Sequence, residues 1–416
     1  MKRKLIAFLL VLFTALSISG TKAYCSDTQT ISFSNIKSIM IENSIDMKIA
    51  DNNLKNTKQE LQKINDSIED LGDGSYKGST ISKNISTLED EVEELESTVK
   101  SLKSQLDSLT DSDPSYSEVK SEYEDKNASL TKKQSNLEQL KGYKKSRTTA
   151  QRNLKKAELT YNQTVEDAVY KAQQSYVSCL STTSQLENKK NTLEYNTKKS
   201  EISKLQYESG FLSKKDYENT ITDNTDSENE IKELESKNEI ALNNLKLTLG
   251  ISQGVDVNLD NNVESDFNSV MSINYSEDLK EMLKNSIDIS VSNLEVDWAK
   301  DDDDEDDDDD NDYENYTLEN KELSLDKQSI TSEINFKEKY NNLMTAYNSI
   351  KSSYDKLQQS QEDYGVSSKK YSLGFITKNE LEKAKLDLDS KMSDFNSERN
   401  DFYLKYLDYT QMKEGY

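Results

Sequence analysis

The chain has 416 residues, of which 33% are hydrophobic and 31% are charged, and its formal net charge is −25. It contains no histidine, which removes the usual general base, the commonest zinc ligand and any Ser-His-Asp or Cys-His arrangement. The strong negative charge also argues against nucleic acid as a partner. We therefore predict a protein that is not an enzyme and that holds neither a cofactor nor a metal ion.

The N-terminus has the pattern of a secretory signal peptide ending at residue 23. Residues 2–4 are basic, residues 5–16 are apolar, and residues 21–23 offer a small-residue cleavage site. The apolar run is shorter than the roughly 18 residues that a membrane helix requires, and no other segment approaches that length. The sequence thus predicts an exported protein whose mature chain has no direct membrane span.

A strict heptad pattern begins further along the chain. Its apolar residues alternate between spacings of four and three: Leu88, Val92, Leu95, Val99, Leu102, Leu106 and Leu109. The only proline, Pro114, then breaks the pattern. Three further residues follow one heptad apart: Tyr123, Leu130 and Leu137. This arrangement predicts an antiparallel coiled-coil hairpin over residues 85–145.

Further heptads predict long helices in the rest of the chain. They form two series: Val165, Ala172, Cys179, Leu186 and Leu193, and then Tyr340, Leu343, Tyr347, Ile350, Tyr354 and Leu357. No segment of comparable length alternates with the period of two that a half-buried strand requires. The predicted fold class is therefore all-α, built from long antiparallel helical hairpins and coiled coils. Because many of the apolar-stripe positions are Tyr, Ala, Ser or Asn, these helices need neighbours, from the same chain or from copies of it.

The two cysteines, Cys25 and Cys179, leave two alternatives open. A disulfide between them would suit an exported protein. However, Cys25 lies in the N-terminal tail, whereas Cys179 falls in an apolar heptad series. A buried free thiol at Cys179 is the interpretation that this pattern favours.

Two eleven-residue segments share an unusual pattern at a separation of 164 residues (371 − 207). The segment YESGFLSKKDY begins at Tyr207, and the segment YSLGFITKNEL begins at Tyr371. Gly210 and Gly374 fit the position where a helix ends in the left-handed region, which other side chains resist. Each segment therefore predicts a tight helix–turn–helix corner.

The residues after each glycine are typical of a helix N-terminus. Ser213 and Thr377 can cap the next helix, and Asp216 and Glu380, three positions later, complete a capping-box pattern. These caps predict that a new helix starts directly after each corner.

Only two apolar residues remain for each turn, at 211–212 and at 375–376. Apolar residues at an exposed hairpin tip are typical of a docking surface. The alternative is that Phe211 and Phe375 fold back onto their own hairpins. The sequence leaves both interpretations open.

Other matches suggest that the chain contains two tandem repeats. The tetrapeptide NSID occurs at 43–46 and at 285–288, before each corner, and a closing glycine follows each corner, at Gly250 and Gly415. The same order of motifs thus occurs twice. The predicted divisions are a signal peptide (1–23), a first repeat (24–250) with a coiled-coil insertion at about 66–145, a linker (251–276), and a second repeat (277–416) with an acidic loop at about 300–315.

This order of motifs resembles the TolC-like outer-membrane efflux proteins, over most of residues 31–250 and 277–416. The resemblance implies a homotrimer whose six hairpins form a long α-helical duct for efflux. It also implies tips that dock a membrane-fusion-type adaptor protein, which links the duct to a pump. The tip residues that it implies are Gly210, Phe211, Leu212, Ser213, Gly374, Phe375, Ile376 and Thr377. The residues that it implies line or latch the closed tip are Asp216, Tyr371 and Glu380.

The chain also departs from this family. Ile376 stands where the family often has an arginine, which places a salt-bridged latch in question. In the two slots where the family carries β-hairpins of a membrane barrel, this chain has the coiled coil and the acidic run. Our hypothesis is a barrel-less variant, without the β-barrel strands, that is exported to the cell envelope but not inserted in the outer membrane, the family's usual location. The alternative function is a non-conducting coiled-coil scaffold of the cell envelope.

The acidic run supplies 11 negative charges within residues 301–312. It lacks the glycine and the spaced aspartates of an EF-hand calcium loop. A solvated, self-repelling loop is therefore the favoured interpretation.

Overall fold

A computed structural model describes residues 28–71, 80–260, 269–306 and 316–416. The predicted signal peptide, Cys25 and residues 307–315 of the acidic run lie outside these ranges. The described helices are α1 (Ile36–Asn43), α2 (Ile45–Asp70), α3 (Ile81–Ser108), α4 (Tyr116–Glu208), α5 (Lys214–Leu249), α6 (Tyr275–Asn285), α7 (Ile287–Asp306), α8 (Thr317–Ser372) and α9 (Lys378–Glu414). Two strands of three residues, β1 (Gln29–Ile31) and β2 (Val257–Leu259), pair in parallel. The predicted all-α fold class is confirmed.

The predicted coiled-coil hairpin is formed by α3 and the first part of α4. Its turn is fixed by Asp113, whose carboxylate Oδ2 accepts a hydrogen bond from the backbone N–H of Thr110 at 2.7 Å. Leu88, Leu137 and Leu140 are buried in a core that also receives the C-terminal end of α2. This core is separate from the two cores of the repeats.

The 93-residue helix α4 organises the molecule, because most of the other long helices pack along it. Helix α2 runs antiparallel to α4. Lys58 of α2 pairs with Glu158 of α4, in the part of α4 that is distant from its corner. Helix α5 also runs antiparallel to α4, with Lys189 paired to Glu230. Helices α8 and α9 form a second antiparallel hairpin, which meets α4 through α9.

In the predicted first repeat, one core lies where β1, α1, α4 and α5 meet. Tyr176 of α4 is fully buried there, and its hydroxyl donates to the backbone carbonyls of Ile31 and Asp260. These bonds attach the β1–β2 pair to α4. Burial raises the pKa of the Tyr176 hydroxyl above its usual value. Strand β2 lies inside the predicted linker 251–276, so this segment contributes to the core rather than only connecting the repeats.

The second repeat has an aromatic core between α6, α8 and α9. The rings of Phe336 and Tyr409 stack with centroids 4.9 Å apart, and both side chains are buried. The Tyr409 hydroxyl donates to the Asp278 carboxylate at 2.7 Å, and Lys413 pairs with the other oxygen of that carboxylate at 2.8 Å. The buried Asp278 is thus fully engaged by two partners on α9.

The closing glycines contact the NSID segments, which the sequence patterns did not predict. Gly250 (φ 71°) and Gly415 (φ 102°) end α5 and α9 in the left-handed region. A β-carbon at Gly250 would overlap the Asn43 carbonyl, and one at Gly415 would overlap the Asn285 carbonyl. The same contact, between a last helix and the break between the first two helices, therefore closes both of the predicted repeats.

The acidic run does not begin as a loop. Helix α7 extends to Asp306, which corrects the predicted loop boundary of about 300. The Arg152 guanidinium binds both carboxylate oxygens of Asp302, at 2.7 and 2.8 Å, and this pairing offsets part of the repulsion at the start of the run. These hydrogen bonds also lower the pKa of the Asp302 carboxyl.

Cys179 is a free, buried thiol, which is the interpretation favoured from its heptad position. Burial raises its pKa to about 11. Among the described helices, none combines the length and the apolar character needed to cross a bilayer.

Candidate docking site at two helical corners

The first corner joins α4 to α5. The N–H of Gly210 donates to the Tyr207 carbonyl at 3.0 Å, and the N–H of Phe211 donates to the Gln206 carbonyl at 2.8 Å. With φ of 77° at Gly210, this is the Schellman ending of a helix, which satisfies carbonyls that the last turn leaves free. Ser213 then caps α5, since its Oγ accepts from the N–H of Asp216 at 3.1 Å.

The second corner joins α8 to α9 with the same backbone geometry. Gly374 has φ of 76°, and the N–H of Phe375 donates to the Lys370 carbonyl at 2.9 Å. Thr377 caps α9, because its Oγ1 accepts a hydrogen bond from the Glu380 N–H. The Glu380 carboxylate in turn accepts a hydrogen bond from the Thr377 N–H at 2.7 Å, which completes the predicted capping box. These bonds hold the pKa of the Glu380 carboxyl below its usual value.

The first capping box is incomplete, contrary to the sequence prediction. Asp216 accepts a bond from the Ser213 hydroxyl at 2.7 Å rather than from the Ser213 backbone. The aspartate side chain is one methylene shorter than the glutamate of the second corner. It therefore reaches the nearer hydroxyl in place of the backbone N–H.

Both corner phenylalanines project into solvent. Phe211 is 86% exposed and Phe375 is 76% exposed, so neither folds back onto its own hairpin. Leu212 and Ile376, the next residues, are half-buried at the base of each turn. Each corner thus presents one aromatic ring on a rigid backbone, with both of its helix ends satisfied.

The two corners lie at the same end of the molecule. Lys198 of α4, ten residues before the end of that helix, pairs with Glu382 of α9, four residues after the start of that helix. Further from the corners, the hydroxyls of Ser184 and Ser393 lie 2.6 Å apart across the same two helices. A single partner could therefore contact both corners.

The apolar surface extends beyond the residues that the motifs predicted. Four further side chains near the corners are exposed: Ile202, Leu205, Val366 and Leu373. Ile202 and Val366 are separated by the same 164 residues as the corners (366 − 202). Extending the comparison of the two segments towards the N-terminus would have found this pair.

The residues predicted to line or latch the tip differ in their surroundings. Asp216 and Glu380 are engaged by the caps of their own helices. Tyr371 and its counterpart Tyr207 are both exposed, at 42% and 37%, but Tyr207 also stacks on Tyr217 with ring centroids 5.3 Å apart. The two corners are therefore alike in backbone and different in aromatic packing.

The described residues also contain a groove of about 570 Å³ between α4, α5 and α9. Its walls carry charged and small polar side chains, including the Lys189–Glu230 pair and Ser393. Within the described parts of the chain, no group of three or more Cys, Asp or Glu residues is arranged to hold a metal ion. The exposed corners are thus the most distinctive surface for recognition.

Comparison with known proteins gives matches of structure only, since no family model and no curated protein sequence matches this chain. The solved structure of CusC, described in connection with transmembrane channel formation, aligns with a TM-score of 0.50 at 12% identity and covers 96% of each chain. The outer membrane channel CmeC of Campylobacter jejuni aligns at 0.46 and 11% identity, over 66% of this chain and 68% of CmeC. The outer membrane protein VceC of Vibrio cholerae aligns at 0.43 and 12% identity, over 66% of this chain and 76% of VceC. The likeness to CusC over nearly the whole chain confirms, at the level of the fold, the predicted resemblance to TolC-like outer-membrane efflux proteins.

Proposed function

We propose that this protein is a TolC-like export component whose copies form an oligomeric α-helical duct and whose corners dock an adaptor protein. The observation that carries the proposal is the pair of matching corners at one end, each with an exposed phenylalanine. The proposed docking residues are Gly210, Phe211, Leu212, Ser213, Gly374, Phe375, Ile376 and Thr377. Exposed aromatic residues on a rigid backbone are typical anchors of protein interfaces.

A duct requires several copies of the chain. Near the corners the packed helices follow the order α5, α4, α9, α8, in which the most extensive contact between the two hairpins is that of α4 with α9. Two hairpins joined along one edge form part of a wall and do not enclose a lumen. We therefore propose a homotrimer, the state that the family resemblance implies.

The remaining partners follow from the same resemblance. We propose that the signal peptide directs the chain to the cell envelope, where a membrane-fusion-type adaptor links the duct to a pump. Of the three latch candidates, Tyr371 is the best placed to contact a neighbouring copy. Asp216 and Glu380 would have to leave their own helix caps to form a latch.

Electron microscopy of the purified mature protein tests this proposal most directly. We expect a hollow cylinder with threefold symmetry and, in light scattering at micromolar concentration, the mass of three copies. A chain that stays monomeric under these conditions, or that forms particles without a lumen, would contradict the duct. Such particles would favour the non-conducting scaffold of the cell envelope.

A further inference from the structure

The outer face of α2 is apolar and uncharged. Ile45 and Ile49 are 58% and 50% exposed, although each lies only two positions from the buried Met47. Two positions correspond to roughly 200° around a helix, so both isoleucines lie on the face opposite the core. The same face continues with exposed neutral residues: Asn52, Asn56 and Gln59.

Helix α8 carries a matching apolar pair on its own outer face. Ile330 and Ile334 are 59% and 62% exposed, and each lies two positions from the buried Ser332. They therefore also point away from the core. The contacts join these helices in the order α2, α4, α7, α8, so that α2 and α8 are the two outer helices of the series.

A belt of ion pairs fixes the relative height of the two faces. Lys58 of α2 lies 3.6 Å from Glu158 of α4 (Nζ to Oε1). Lys156, one half-turn earlier on α4, binds Glu295 of α7 at 2.7 Å, and the other oxygen of Glu295 binds Lys321 of α8 at 2.9 Å. These two lysine bonds lower the pKa of the Glu295 carboxyl. The adjacent Glu322 of α8 pairs with Lys300, five residues from Glu295 on α7, so these ion pairs place Lys58 and Lys321 within about 8 Å of one height along the long axis.

Measured from this belt, the isoleucines of the two helices are at similar heights. Ile49 lies nine residues from Lys58 (58 − 49), and Ile330 lies nine residues from Lys321 (330 − 321). Ile45 and Ile334 each lie thirteen residues from the same lysines (58 − 45 and 334 − 321). On both helices the isoleucines lie on the corner side of the lysine, because α2 runs antiparallel to α4 and α8 ends at the second corner. At about 1.5 Å per residue, the heights are roughly 14 and 20 Å from the belt.

We propose that a second copy of this chain covers these faces, with Ile45 and Ile49 of one copy packed against Ile334 and Ile330 of the next. A contact between two different surfaces builds a ring when the copies are related by rotation alone and a helical filament when each copy also rises. Similar heights on the two faces favour a ring over a filament. The absence of charge along the α2 face is typical of an interface core, whereas the α8 face carries Asp326 and Lys337 beside its isoleucines. This inference rests on the oligomer proposed above and names the residues of its subunit interface.

Disulfide trapping of the full chain tests the interface. All variants carry Cys25→Ser, and the buried Cys179 is retained. We expect the double variant Ile49→Cys/Ile330→Cys to form covalent oligomers on mild oxidation, visible as a ladder in a non-reducing gel. Each single variant should remain a single band, because a disulfide requires two cysteines with Cα atoms within about 7 Å.

The control is a pair of cysteines placed at two different heights. Leu323 lies on the same outer face of α8, but only two residues from Lys321 (323 − 321), so Ile45→Cys/Leu323→Cys would leave a gap of roughly 16 Å. This pair should not cross-link. If light scattering shows oligomers but only the mismatched pair cross-links, or neither pair does, the proposed interface is overturned while the duct survives. A chain that stays monomeric overturns both proposals.

Discussion

At the scale of single residues, glycines in the same chain have opposite roles. Gly250 adopts a left-handed conformation against the Asn43 carbonyl, where a β-carbon has no room. Gly142 lies inside α4 with open space around its Cα. The first glycine is required by the contact that closes a repeat, and the second only weakens its helix.

We predict that Gly250→Ala destabilises the protein and that Gly142→Ala does not. Backbone strain of this kind costs about 1–3 kcal/mol, and the overlap with the Asn43 carbonyl adds to it. By contrast, alanine inside a helix is favoured over glycine by roughly 0.5–1 kcal/mol. Urea unfolding followed by circular dichroism measures both effects. Equal midpoints for the two variants would show that the closing contact does not contribute to stability.

The corner phenylalanines should matter for binding and not for folding. Because Phe211 and Phe375 are exposed, we expect Phe211→Asp/Phe375→Asp to leave the free energy of unfolding within about 0.5 kcal/mol of wild type. The same variant should abolish capture of the adaptor, measured by cross-linking in producing cells. Met271→Asp, at another exposed apolar residue, is the control that should keep capture intact. Adaptor capture by the double variant at the wild-type level would refute docking through the corners.

At the scale of elements, the heptad pattern predicted the hairpin but not the continuity of α4. The apolar series ending at Leu137 and the one starting at Val165 are four heptads apart (165 − 137), so they share one phase. Between them the heptad positions are polar, and Glu158 pairs with Lys58 there. In this interval α2 continues along α4, α7 joins through the Lys156–Glu295 pair, and ion pairs replace apolar contacts. A search for apolar residues alone cannot follow a helix through such a region.

The corners were predictable because their signals are local. Glycine, cap and turn residues act within a few positions of one another, and the structure has the predicted backbone at both corners. The contact of Gly415 with Asn285 joins residues far apart in sequence, so no local pattern predicts it. The matched motifs predicted that these segments correspond between the repeats. Only the fold shows that they touch.

The coiled-coil hairpin of α3 and α4 has its own core, which predicts local unfolding. Leu88 is buried in that core, and a carboxylate at such a site is costly without a partner. We expect Leu88→Asp to speed amide hydrogen exchange over residues 81–140 and to leave exchange around Phe336 unchanged. Leu343→Asp, in the core of the second repeat, should show the reverse pattern. Mass spectrometry of peptides reads both regions, and uniform acceleration in either variant would indicate a single cooperative unit.

At the scale of the whole molecule, recognition and assembly are assigned to different surfaces. The corners lie at one end, whereas the faces of α2 and α8 lie further along the molecule, between the closing glycines and the belt of ion pairs. A change in one surface should therefore leave the other intact. Because the faces of α2 and α8 include no corner residue, the copies can assemble through them without engaging the adaptor.

The net charge of −25 per copy opposes assembly, and salt should reveal how the copies are held together. Repulsion between copies is screened over about 10 Å at 0.1 M salt and about 3 Å at 1 M salt, whereas apolar contacts are not weakened by salt. We therefore expect the oligomer fraction, measured by analytical ultracentrifugation, to rise as sodium chloride is increased from about 0.1 M to about 1 M. Ile49→Asp should lower the fraction at both concentrations, because it places a charge in the proposed interface. An oligomer that dissociates as salt is added would instead be held by ion pairs, and the isoleucine faces would not be its interface.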